Sequence, residues 1–490
     1  MLVQPMENRK KKDEINAAFC DYYRCPESFA RLTQIAKLSE DSGYFRFGPD
    51  TICYGRSSSG FRAARPTDEL YDVEKDVVAD GSTLILPFNP SEISTNLRHE
   101  RYTSNFDGRN KTPHSASVLR AAYYLARPLL PVCVRRHVQR MHLRGWENIS
   151  FPSWPVDASV ERMLEKLLAL LLRDHSTKHI PFIWFWPDGF SSCAIMTHDV
   201  ETKHGRDFCP DLMDLDDAYG MKSSFQIVPE ERYSVSEAFL NRIRERGFEV
   251  NVHDLNHDGH LVSNRRQFWQ RAERINGYGR TYQTAGFRSA ALYRNLNWWE
   301  ALHFAYDMSV PSVGHLEAQQ GGCCSVTPFF IGKMLELPLT TTQDYSLFCI
   351  LNQYSIDLWK CQIAQIMEMH GLASFIVHPD YITAPRARQT YKSLLAYLAR
   401  LRSEGKIWTA LPREVNQWWR ERRHMKLSWR RNNWEIEGAG SERARVAYAT
   451  LEGTSLVYRL SPGSAVDSRL PNVPPDARWE SPDVAVNYLP

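Results

Sequence analysis

Between about Ile180 and Trp419 the chain switches from apolar to polar and back at a regular interval. Short apolar runs read as strands: "CAIMT", "SSFQIV", "FEVNV", "TAGFR", "AYDMSV", "MLELPLTT", "ASFIV" and "IWTAL". Stretches with helical spacing fall between them, among them Asp211 to Gly220, "VSEAFLNRIRERG", "NRRQFWQRAERING", "IDLWKCQIAQIMEMHG" and "RARQTYKSLLAYLARLRSEG". Alternation of this kind predicts a parallel α/β sheet, and the number of units favours a distorted (β/α) barrel. Barrels carry their chemistry at the carboxyl ends of the strands, so polar residues just beyond the apolar runs become the candidates.

The flanks read differently. Residues 1–40 predict a polar, partly helical arm, and residues 41–180 a mixed α/β region of unknown role. Within the latter, "YFRFGPDTICYG" and "STLILPF" read as strands and "SASVLRAAYYLARPLL" as a helix. "FPSWPVDASVERMLEKLLALLL" gives Asp157 as an N-cap before an amphipathic helix. The barrel is expected over residues 181–420. Beyond it, residues 421–490 alternate at period two in "NNWEIEG", "ARVAYATLEG" and "SLVYRL", a small antiparallel sheet, before a Pro-rich tail.

Composition narrows the function classes. The hydrophobic share of 43% over 490 residues is enough for a sizeable core in more than one unit. A net charge of +3 gives no reason to expect nucleic acid or an anionic membrane as partner. Basic clusters such as Arg135, Arg136, Arg140 and Arg144 read as solvated helix faces. Ten cysteines without a CxxC pair suit reduced thiols, the longest apolar run is too short to span a bilayer, and the first residues lack the apolar core of a secretory signal. A soluble cytoplasmic protein is the expectation. Nothing in the chain speaks to its oligomeric state.

Ionisable residues do gather where a barrel would use them. The run "CAIMT" leads into Asp199 and Glu201, and "FEVNV" into His253 and His257. "TAGFR" ends in Arg288, "AYDMS" carries Asp307, and "FIVHPD" contains His378. On a helical turn, His253 and His257 would share a face and reach one cation. Two imidazoles and one carboxylate leave a tetrahedral ion an open position, as in hydrolytic metal sites. One member of the Asp199/Glu201 pair can bind the ion and the other serve as base. The bland alternatives are a loop capped by the two histidines, a structural ion pair at Arg288, a turn capped by Asp307 through Ser309, and a packed core histidine at 378.

In these motifs the chain resembles the polysaccharide deacetylases, carbohydrate esterase family 4, over roughly residues 190 to 410. "THDVE" is similar to the family's Thr-Phe-Asp-Asp motif in its Asp-x-Glu variant, with His198 in the aromatic slot and Val200 in place of the second Asp. "HDLNH" is similar to His-Ser/Thr-x-x-His, with Asp254 replacing the hydroxyl residue. "GFRSAALYRN" resembles the Arg motif without its Pro-Tyr, "YDMSVPS" the fourth motif without its Trp, and "FIVHP" the strand ending in His.

The resemblance implies Asp199 as general base and Glu201, His253 and His257 as ligands of a divalent metal, zinc by default. It implies His378 as general acid, Asp307 as its orienting partner, and Arg288 as the group that steadies Asp199. The implied reaction is hydrolysis of a linear amide C–N bond, removing acetyl from an N-acetylated saccharide. Two rivals use the same residues: opening of a small non-sugar amide or ureide, and a barrel that binds carbohydrate or a partner without turnover.

Overall fold

A computed structural model describes residues 6–34, 37–81, 83–103, 141, 143–173 and 178–461. The expected helix at "SASVLRAAYYLARPLL", the basic residues Arg135, Arg136 and Arg140, and the Pro-rich tail lie outside the described residues.

The distorted (β/α) barrel is present. Its strands are β1 (Ser192–Val200), β2 (Ser223–Ile227), β3 (Glu249–His253), β4 (Gly286–Arg288), β5 (Tyr306–Asp307), β6 (Phe329–Ile331), β7 (Met334–Glu336), β8 (Leu372–Ile376) and β9 (Ile407–Ala410). They lie side by side in the order β6-β7-β5-β4-β3-β2-β1-β8, with β9 also on β1. Only β6 is antiparallel to its neighbour. The long strand β1 is shared. Its first half, Ser192–Ile195, pairs with β9, and Met196–Val200 pair with β2.

The distortion has a physical origin at the seam between β7 and β8. No backbone ladder joins those strands; hydroxyls of the segment after β7 do so instead. Thr340 Oγ1 donates to Leu372 O at 2.6 Å and accepts from Ser374 N at 2.9 Å, and Thr341 Oγ1 donates to Ser374 O at 2.7 Å. Edge carbonyls and amides that a barrel would leave open are thereby satisfied by side chains.

Alternation along the strands sorts the residues. Ala194, Met196, Val200, Phe225, Ile227, Val250 and Val252 pack against the surrounding helices, including Leu212, Met213, Leu240, Ile243, Phe268 and Ile275. Cys193 and Ile195 point the other way, into a second core with Tyr306, Leu335 and Leu372. The helices are capped by short polar side chains: Thr202 for α1 (Lys203–Ala218), Ser236 for α2 (Glu237–Glu245) and Asn264 for α3 (Arg265–Thr281). α1 starts eight residues earlier than the expected Asp211, because Thr202 caps it and Pro210, which reads as a boundary, lies inside the helix.

The flanks are built into the same body. The helix Met6–Tyr23 buries Ile15, Phe19, Tyr22 and Tyr23, so the expected polar arm is in fact a packed element. Asp157 meets the expectation of a cap contact, its Oδ1 accepting from Ser159 N at 2.9 Å before the helix Ser159–Arg173. The C-terminal strands Val446–Glu452 and Ser455–Leu460 take Ile180–Ile183 as their third strand. That run therefore belongs to the C-terminal sheet, and the barrel begins at Ser192 and not at residue 181. Among the described residues no helix is long and apolar enough to cross a membrane.

Candidate active site

β1, β3, β4 and β8 deliver their last polar side chains to one end of the barrel. Asp199 is the penultimate residue of β1, and its side chain is nearly fully buried. Arg288, the last residue of β4, donates from Nη1 to Asp199 Oδ1 at 2.6 Å and to Thr197 Oγ1 at 2.7 Å. Its Nε donates to Met308 O at 2.9 Å, which fixes the guanidinium. Burial alone would raise the Asp199 carboxyl, but the Arg288 guanidinium outweighs it and holds Asp199 below the usual carboxylate range. Oδ1 is taken by Arg288; Oδ2 faces His253 Nε2 at 3.7 Å.

His253 closes β3. Its Nδ1–H donates to the backbone carbonyl of Arg288 at 3.2 Å, so the lone pair sits on Nε2. Burial pushes this imidazole down to about 4, which keeps it neutral. His257 does not reach the same place through a helical turn, as its spacing predicts. The chain beyond β3 is a loop in which Asp254 and His257 both take left-handed φ values, 53° and 55°. That reversal brings the two rings to 5.0 Å between centroids.

Glu201, two residues beyond Asp199, completes the group. Its Oε1 lies 2.8 Å from His257 Nε2 and 3.4 Å from His378 Nε2. Burial raises this carboxyl, and the His257 and His378 imidazoles override it, leaving Glu201 well below the usual range. One ligand atom each from Glu201, His253 and His257 lie within 4.8 Å of one another, and no other such group of three occurs among the described residues. Nε2 of His253 is buried without a hydrogen-bond partner, and Nε2 of His257 faces only Glu201 Oε1, at 2.8 Å. Two buried imidazole nitrogens beside a carboxylate form a donor set that a divalent cation fits.

His378 begins the turn after β8. Its Nδ1–H donates to Asp344 Oδ1 at 2.6 Å, while its backbone N–H donates to Asp344 Oδ2 at 2.8 Å. Burial works against a charged imidazole, yet Asp344 and Glu201 hold His378 well above its ordinary value. The expected partner, Asp307, is elsewhere. Its carboxylate accepts from Trp299 Nε1 and Ser309 Oγ, each at 2.6 Å, and lies beside Glu336 across the β5–β7 ladder. Burial raises both of these carboxyls. The turn cap through Ser309 is thus the reading that matches its contacts, and Asp307 supports the β5 end beside Met308, whose carbonyl holds Arg288.

Asp344 escaped the sequence reading because it stands in the segment after β7 and not at the end of a strand. The signal was there in "MLELPLTTTQDY", an acidic residue following an apolar run, one unit later in the chain. His198, one residue before Asp199, is no ligand. Its Nδ1–H donates to Val377 O at 2.9 Å, and its Nε2 lies 3.0 Å from Asp216 Oδ2. The vicinal Cys323 and Cys324 are fully buried, which pushes both thiols well up and argues against redox reactivity.

No family model matches the chain, and no curated protein matches it by sequence. Solved structures do resemble it. A Mycobacterium smegmatis protein assigned to the polysaccharide deacetylases is similar at 15% identity, with 51% of this chain and 98% of that one covered and a TM-score of 0.40. Puue allantoinase is similar at 11% identity, covering 48% and 92%, with a TM-score of 0.37. The peptidoglycan deacetylase PdaC from Bacillus subtilis is similar at 10% identity, covering 47% and 93%, with a TM-score of 0.30.

Proposed function

We propose that this protein is a metal-dependent hydrolase of linear amide C–N bonds that removes acetyl from an N-acetylated saccharide, acting in the cytoplasm. One observation carries the reading: Asp199 Oδ2, 3.7 Å from His253 Nε2, and His378 Nε2, 3.4 Å from Glu201 Oε1, flank the group of one carboxylate and two imidazoles made by Glu201, His253 and His257. Glu201, His253 and His257 would hold the ion, with zinc the default for this donor set. When bound, such an ion supplies Lewis acidity toward the amide carbonyl and the attacking water.

The remaining work falls to the chain's own groups. Asp199 accepts the proton of the attacking water on Oδ2, since Oδ1 is occupied by Arg288. Arg288 keeps that carboxylate ionised and aimed. The carbonyl carbon gains the water oxygen and the C–N bond breaks. His378, its Nδ1–H committed to Asp344, gives the proton on Nε2 to the departing nitrogen, which leaves as an amine and not as an unstable amide anion. Acetate and a free amino sugar are the products.

Acetate release from a panel of N-acetylated saccharides, with purified protein loaded with zinc, tests the assignment. Acetate should appear with wild type and not with Asp199→Asn. Equal release from both would remove this mechanism, and no acetate from any saccharide together with ring opening of a cyclic ureide, followed as carboxylate formation, would move the substrate class.

A further inference from the structure

The segment Glu230–Tyr233, in the loop between β2 and α2, touches both of the elements that carry Glu201 and His257. Tyr233 OH donates to Val200 O at 2.6 Å, the carbonyl directly before Glu201, and accepts from Val228 N at 3.0 Å. Glu230 N donates to Leu255 O at 3.0 Å. Glu231 accepts from Asn256 Nδ2 at 3.2 Å. Arg232 donates from Nε to Asn256 O at 3.0 Å and from Nη2 to the carbonyl of His257 itself. One short stretch therefore binds three consecutive residues of the His257 loop and the end of the Glu201 strand. The stretch is itself anchored from outside, because Arg206 of α1 donates to Ser234 O and Ser234 Oγ, each at 3.0 Å.

These bonds fall where the backbone most needs them. Asp254 and His257 occupy left-handed φ, which a side chain other than glycine rarely adopts without support. A spacing of four residues in an irregular loop does not by itself fix the distance between two imidazoles, as a helical turn would. Something outside the loop has to set it. Arg232 is exposed, yet its guanidinium is spent on two backbone carbonyls and on no carboxylate, an arrangement with no evident role except to hold that loop.

We propose that Glu230–Tyr233 is a strap that sets the separation of Glu201 and His257, with Tyr233 and Arg232 as positioning residues for the bound cation. This rests on the reading of Glu201, His253 and His257 as metal ligands. The strap touches no ligand atom. It acts through the backbone on either side of the ion, the way outer partners of a metal site fix the orientation of the inner ones.

The test is zinc affinity by competition with a chromophoric chelator, for wild type, Tyr233→Phe, Arg232→Ala and Arg232→Lys, alongside thermal unfolding of each metal-free protein. Arg232→Ala and Tyr233→Phe should weaken zinc binding by about 10- to 100-fold. Arg232→Lys should recover part of the loss, because an ammonium keeps the charge and donors but lacks the planar fork that spans both carbonyls. Unfolding of the metal-free Arg232→Ala protein should match wild type, since its two carbonyls can turn to water. Wild-type affinity in Arg232→Ala overturns the strap while leaving the metal site standing. Wild type that binds no zinc overturns the metal reading first, and the strap with it. Should Tyr233→Phe prove unstable, the exposed Arg232 pair decides the matter alone.

Discussion

The two ends of the barrel use polar groups in opposite ways. At the carboxyl end, ionisable side chains are buried and left facing one another, with His253 Nε2 unpartnered. At the amino end, a buried charge is spent on holding segments together. Arg422, fully buried and without a carboxylate, donates to Trp184 O at 2.9 Å, Ile183 O at 2.7 Å and Tyr22 O at 2.8 Å, and lies over the rings of Phe185 and Trp419. It ties the helix Pro412–His424 to the N-terminal helix and to the strand Ile180–Ile183 at once. Buried ionisable groups facing one another thus distinguish the candidate site from the end where a buried charge is spent on joining segments.

Substitutions should separate the two ends cleanly. Asp199→Asn keeps the hydrogen-bonding shape beside Arg288 but removes the base, so turnover should fall by roughly 10³- to 10⁴-fold. Zinc content should remain near the wild-type value, while the urea midpoint falls because the buried Arg288 loses its carboxylate; acetate-release kinetics, metal analysis and urea unfolding read the three. Within the active end, Asp344→Asn should lower kcat by roughly 10²- to 10³-fold, because His378 loses the partner that keeps it charged and oriented. Asp307→Asn, by contrast, should leave kcat within a few-fold and act on stability. The reverse ranking would restore Asp307 as the orienting residue. At the other end, Arg422→Ala should cost about 3 kcal/mol in urea unfolding by orphaning buried carbonyls, with kcat unchanged in the folded fraction.

How much of this could be read from the chain follows from the same contrast. Side chains that end a strand are placed by period-two alternation and a topology the apolar runs reveal, so Asp199, His253, Arg288 and His378 could be located one by one. Glu201 followed, two positions beyond Asp199. Groups whose placement depends on irregular backbone could not be. The His253–His257 spacing suggested a helical turn, yet two left-handed residues achieve the approach. Asp344 reaches His378 only because Thr340 and Thr341 carry the post-β7 segment alongside β8, a contact that no local pattern encodes. The N-terminal helix read as polar because its apolar residues, Ile15, Phe19, Tyr22 and Tyr23, occupy a single stripe at its end. The barrel was expected from residue 181, and so to take in most of Ile180–Ile183, because a run buried along its length carries no sign of which sheet it joins.

The amino end also contains a titratable group whose effect on stability has a definite sign. His370, just before β8, is buried between Trp184 and Phe185, and its Nδ1–H donates to Ser191 O at 3.1 Å. Burial pushes its imidazole from the ordinary 6.5 down to about 4. The folded state therefore binds this proton less readily than the unfolded chain. Its contribution is fully present above pH 6.5 and is lost as the pH falls toward 4. Between pH 7 and pH 5 that loss amounts to about 2 kcal/mol for this residue. His370 sits at φ 52°, so asparagine, which tolerates that backbone, is the suitable replacement. Urea unfolding of His370→Asn should start from a lower stability at pH 7 but decline less on acidification than wild type. If the two proteins show the same slope between pH 7 and 5, the acid sensitivity resides in groups other than His370.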